Sequence, residues 1–227
     1  NFDALRNGQP FEMSRNSGLD QEMTLQVDYV QPWNKNRLDI GGKAILRDVT
    51  SDGTFSIYNS ATQTFVPNPA RANFLDYNQD VLALYSSLTF AFPNKWGLQA
   101  GGRLERTIIG ADFKDVSNAD IPDYTSFLPS VNVSKALGKS HKFRLSYAQR
   151  IERPSIRFLN PFVNLSNPID ISFGNPVLAP ELVDQFELNY STFYKANSIT
   201  VSLFNRSTDN SITSVRSIER VGNQDIT

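Results

Sequence analysis

Apolar and polar residues alternate with a period of two along much of the chain. In "EMTLQVDY" Met23, Leu25, Val27 and Tyr29 share one face, and Glu22, Thr24, Gln26 and Asp28 the other. Successive strand side chains point oppositely, so this pattern predicts a β-strand and fits no helical spacing. The same alternation follows at Leu38, Ile40, Gly42, Ala44 and Leu46, with Ile45 alone breaking the polar set. It returns at Leu98 to Leu104, Phe143 to Tyr147, Phe186 to Tyr190 and Ile199 to Leu203. The expectation is an all-β chain of about eight strands near 21–31, 37–48, 73–92, 97–113, 124–137, 141–153, 181–194 and 198–216.

The connections alternate between short and long. "PWNKN", "PNKWG", "GKS" and "KANS" carry the Pro, Asn and Gly that set turn dihedrals. Between them lie a crossing of roughly 25 residues around "SDGTFSIYNSATQTFVPNPARANF", a shorter one around "KDVSNADIPD", and the stretch from Arg150 to Glu181. Loops that long count against a compact soluble domain. A transmembrane barrel has them as a rule, with tight periplasmic turns at one end and long extracellular loops at the other. Tyr29, Trp33, Phe92, Trp96, Tyr190 and Tyr194 sit near the tight turns, where an interfacial aromatic belt belongs; aromatics are also common in any strand. "NKNRLDIGGKA" at 34–44 aligns without gaps on "NKWGLQAGGRL" at 94–104. The repeated Gly-Gly pair predicts either a kink in the wall or a close approach by another backbone.

Composition removes other classes. A formal net charge of -1 lacks the basic surplus that phosphate binding needs, so no nucleic-acid partner is expected. Without cysteine there is no disulfide framework and no thiolate metal site. The longest apolar run, "VLALY", is far short of a spanning helix. A mean hydropathy of -0.35 remains compatible with a barrel, which shows lipid only every second residue. Four short turns against three long connections predict that both chain ends emerge on the extracellular side. Residues 1–227 then form a single barrel segment, an up-and-down antiparallel meander within a larger barrel, with no plug domain of their own.

"FLDYNQDVLALYSSL", "FLPSVNVSKAL", "FRLSYAQRIERPS", "LNPF" and "ISFGNPVLAPELVDQFELNY" resemble the barrel of TonB-dependent outer-membrane receptors of the Bacteroidota type. The likeness spans about residues 73–208. It is strongest from 143 to 190, where Arg-Pro, Asn-Pro-Phe and Gly-Asn-Pro-x-Leu-x-Pro-Glu follow in order. It implies an outer-membrane location, a barrel of about 22 strands closed by a plug, and partners in outer-membrane lipid, that plug, the TonB complex and a small ligand. A soluble β-sandwich or calyx-type binding protein is the alternative. In a calyx Leu25, Leu98, Leu145 and Leu188 face a core; in a membrane barrel they face lipid.

The crossing from Arg153 to Pro180 is the candidate ligand loop. Three Asn-Pro steps stiffen it, and Gly174, able to take a positive φ, makes "FGNP" a fixed turn. Phe158, Phe162 and Phe173 are expected as apolar anchors at the barrel mouth, with Asn160, Asn164 and Asn167 offering hydrogen bonds to ligand; the phenylalanines equally serve to pin the loop to itself. Arg103, Glu105, Arg150 and Glu152 fall on the lumen-facing parity, to pair with one another or to touch ligand or plug. Arg153 and Glu181 stand beside them where strands enter and leave the loop.

Catalytic signals are missing. The single histidine, His141, lies in a tight turn, and no nucleophile elbow, zincin motif or phosphate loop occurs, so no enzyme and no cofactor are expected. Asp112, Asp115, Asp120 and Asp123 flank one loop with spacing that suits calcium; solvated loop acids are the commoner case, and no metal is assigned.

Overall fold

The computed structural model describes residues 5–6, 9–114, 121–163, 171–194, 197–221 and 224–226. Two short hairpins flank the sheet, β1 (Leu5–Arg6) with β2 (Gln9–Pro10) and, after it, β12 (Glu219–Val221) with β13 (Gln224–Ile226). Between them run β3 (Glu12–Trp33), β4 (Asn36–Asn59), β5 (Thr64–Pro67), β6 (Asn73–Phe92), β7 (Trp96–Phe113), β8 (Tyr124–Leu137), β9 (His141–Glu152), β10 (Glu181–Tyr194) and β11 (Asn197–Asp209). One four-residue helix, α1 (Ile156–Leu159), interrupts the long connection after β9.

The sheet order is β11-β10-β9-β8-β7-β6-β4-β3, every neighbour antiparallel, with β5 folded back on β4. The result is a meander of eight long strands curled into an open half-barrel. Asn34, Asn94, Lys95 and Gly138 take positive φ at three of the tight turns, which lie at one end. The start of β3 and the finish of β11 lie at the other.

Two strands run farther than the alternation indicates. β3 begins at Glu12 rather than near 21, and β4 continues to Asn59 rather than ending near 48. The extensions pair with each other from Glu12↔Ile57 to Gln21↔Asp48. Both of their faces are largely polar, so the ladder persists where the period-two signal fades. The expected crossing of roughly 25 residues therefore shrinks to 60–72, with β5 and a 3-10 turn at Pro69–Arg71 inside it. β11 stops at Asp209 instead of near 216, because Asn210 turns to a φ of 56°.

The two faces of the sheet differ. On the convex side of β6, Leu82, Leu84, Leu88, Phe90 and Phe92 are followed toward the loop end by Asp80, Asn78 and Asp76. The ten residue steps from Leu82 to Phe92 rise about 33 Å along a strand, which becomes about 25 Å of height at usual barrel tilts. Leu25 and Leu145 point outward on this band, 66% and 54% exposed. All six predicted belt aromatics, Tyr29, Trp33, Phe92, Trp96, Tyr190 and Tyr194, share this outward parity near the tight turns. Lys135 lies 4.7 Å above the Trp96 ring and donates to the Asn94 carbonyl at 2.7 Å, which ties neighbouring turns together. The buried cluster lies elsewhere, on the concave face at the loop end, where Leu75, Tyr77, Ala111, Phe113, Ile121 and Leu159 pack together.

The paired glycines have a local cause. A Cβ on Gly41 would lie 2.6 Å from the Tyr85 ring, and one on Gly102 would lie 2.7 Å from the Phe127 ring. One on Gly101 would meet the Ser86 carbonyl at 2.7 Å. The glycines let rings and backbone of adjacent strands lie flat against the wall, an aromatic cover for residues without side chains.

Candidate functional site at the loop end

The long connection folds inward onto the concave wall. α1 places Leu159 in the buried cluster at 1% exposure, with Ile156 and Leu178 packed beside it. These aliphatic residues are the anchors. Phe158 and Phe173, by contrast, are 36% and 73% exposed, and Phe162 is half-buried. On one helical turn Phe158 and Leu159 cannot both face the sheet, and the branched aliphatic takes the buried side.

Two backbone bonds staple the halves of the loop, Gly174 N–H to the Asn160 carbonyl at 2.7 Å and Asn175 N–H to the Phe158 carbonyl at 2.6 Å. Gly174 does not take the positive φ expected of it; among the described glycines only Gly138 does. It is glycine because a Cβ would lie 2.4 Å from the Phe158 carbonyl oxygen. The turn falls one step later, where the Asn175 side chain accepts from Val177 N–H at 3.1 Å. Asn160 likewise accepts from Phe162 N–H at 2.9 Å. Asn164 and Asn167 lie outside the described residues.

Between loop and wall is a cavity of about 580 Å³. Its wall side comes from inward positions of β3, β4 and β6, including Asn16, Ser51, Phe55 and Asn73, and its loop side carries Phe158, Asn160, Phe162 and Phe173. Four of the six residues picked from the sequence thus line one cavity. Arg71 and Arg157 line it too, which the sequence reading missed. Arg71 is fixed at 2.8 Å from Glu12, with its guanidinium 3.7 Å over the Phe55 ring. Lys114 lies 5.9 Å over the Phe162 ring. Beneath the loop, and clear of the apolar band, burial pushes the Tyr77 phenol up to about 12, so it stays neutral.

The loop base is held by charge. Glu105 is 5% exposed and receives Arg103 from its own strand and Arg153 from beyond the end of β9. Arg153 also donates to Thr107 at 3.3 Å. By strand parity Arg153 would face lipid, but the chain leaves the ladder at Glu152 and turns it inward. Glu152 pairs across β10 with Arg206 at 2.6 Å, while Arg150 stands on the same concave face opposite Val183. Glu181 accepts from Ile212 N–H at 2.5 Å and so ties down the segment after β11. Asp123 pairs with Arg106 at 2.8 Å; Asp115 and Asp120 lie outside the described residues, and no metal-holding group occurs among the residues described.

A convex apolar band ringed by aromatics, tight turns at one end and long connections at the other define the wall of a transmembrane β-barrel. The description "Outer membrane protein beta-barrel family" matches residues 2–227, and the chain belongs to that family. It is an outer-membrane protein, and Leu25, Leu145 and Leu188 face lipid rather than the core of a soluble calyx. Among solved structures, the copper transporter OprC matches with a TM-score of 0.66 at 13% identity, over 88% of this chain and 32% of its own. The siderophore receptor PirA from Pseudomonas aeruginosa matches with a TM-score of 0.33 at 17% identity, over 85% of this chain and 45% of its own. The chain thus spans about a third of the length of the first and under half of the second. The comparison with curated proteins gives no match.

Proposed function

We propose that the protein is the ligand-capturing wall of a TonB-dependent outer-membrane receptor of the Bacteroidota type. The observation that supports this best is the cavity between the stapled loop and the concave wall, at the end opposite the tight turns. Cargo held there stands over the lumen of the barrel. In this reading the eight strands are one portion of a larger barrel, joined through the open edges of β3 and β11 to further strands. The lumen is closed by a plug, and passage is powered by TonB from the inner membrane. The chain's chemistry is recognition and passage, not bond making: charged side chains of the concave wall are engaged in ion pairs, as Glu105 is with Arg103 and Arg153. Phe158, Asn160, Phe162 and Phe173, with Asn164 and Asn167 on the same loop, contact the ligand. Uptake in cells with and without a working TonB complex tests the reading. Uptake that persists without TonB, or that Phe158→Ala leaves unchanged, counts against it.

A further inference from the structure

The donor set of the cavity restricts what it holds. Its described lining residues include no Asp, Glu, His, Cys, Met or Lys. Neutral amide and hydroxyl oxygens can join a metal's ligand set, but tight protein sites for a bare metal ion as a rule include a carboxylate, imidazole or sulfur ligand, and an ammonium group needs a carboxylate or a carbonyl cage. The polar lining is instead hydroxyl and amide, as at Ser51, Asn73 and Ser172, groups that both donate and accept. Phe158 and Phe173 line the cavity and remain exposed.

The two lining cations are not equivalent. Arg71 is already neutralised by Glu12 and stacked on Phe55. Arg157 stands on α1 beside Phe158, exposed, and makes no ion pair among the described residues. A planar guanidinium beside an aromatic ring suits a carboxylate or similar oxygen anion attached to a flat apolar group.

We propose that the cavity takes an organic anion, a carboxylate-class group on a flat apolar body, with Arg157 meeting the anion and Phe158 and Phe173 meeting the body, and that it does not hold a bare metal ion. This rests on the cavity being the ligand site and adds the class of ligand. The test uses the full chain in detergent micelles with benzoate and its neutral isostere benzamide as probes, followed by saturation-transfer NMR. Benzoate should bind about fivefold more tightly than benzamide. Arg157→Gln should remove that difference while sparing benzamide, Phe158→Ala should weaken both, and added Zn(II) should displace neither. Equal binding of the two probes with Arg157→Gln silent overturns the anion assignment and leaves the cavity standing. Zn(II) that displaces benzamide overturns the exclusion of metal. If neither probe binds, the cavity itself is not the ligand site and both readings fall.

Discussion

Tyr85 on β6 donates a hydrogen bond to Asp28 on β3, two strands away, by laying its ring across Gly41 of the intervening β4. The contact exists because position 41 has no side chain. Gly41→Ala should push the Tyr85 ring off the wall and break the bond, a local loss that a movable side chain absorbs. Gly101→Ala should be worse, since its Cβ meets the Ser86 carbonyl and Ser87 Cβ at 2.7 Å and backbone must shift, costing about 1 to 3 kcal/mol. Urea unfolding in lipid vesicles compares them; equal effects would show that the ring cover is not why Gly41 is glycine.

The sequence showed that these glycines matter but not why, because neither Tyr85 nor Phe127 is near its glycine along the chain. The eight strands were legible because lipid imposes alternation: Leu25, Leu145 and Leu188 advertise their faces. Where the wall stands in water the constraint lapses, and with it the signal, so the pairing of Glu12–Gln21 with 48–57 was missed. Arg153 was hidden for a related reason. Parity holds within a ladder and fails one residue past its end. The motif around residues 150–181 marked the loop, yet adjacent Phe158 and Leu159 exchange roles by a rotation that no residue type specifies.

Depth in the band sets the next expectation. Leu98 and Leu145 both lie opposite Val133 on the outward face, Leu98 one outward position from Trp96 and Leu145 one from Phe143, the partner of Tyr190 in the belt. Leu145→Arg and Leu98→Arg should cost alike, up to about 2 to 4 kcal/mol. The same change at lumen-facing Ser146 or Gln99 should be mild. Refolding into lipid measures all four, and a costly Ser146→Arg would contradict the assignment of faces.

Glu105 serves two arginines at 5% exposure. Glu105→Gln removes the carboxylate and leaves two cations together, one of which anchors the loop base. A stability loss of about 3 kcal/mol is expected, the low end for a broken buried pair because both arginines are partly exposed. Removing the second cation with Arg153→Met in the same chain returns the group to its original net charge and should recover part of that loss. If the double variant is as unstable as the sum of the singles, the groups are not coupled.

The division of labour on α1 gives the sharpest test. Leu159 is 1% exposed in the cluster with Tyr77 and Phe113, whereas Phe158 faces the cavity. Leu159→Ala should cost about 2 to 5 kcal/mol of local packing and loosen the connection it anchors. Amide exchange should then rise across 153–163 and 171–180 while the ladders of β6 and β7 keep their protection. Phe158→Ala should leave that exchange unchanged and weaken ligand uptake instead. Both variants will insert normally, because neither residue lies in the apolar band. Should Phe158→Ala loosen the loop as much as Leu159→Ala does, the phenylalanine is a second anchor, and the cavity loses its principal recognition surface.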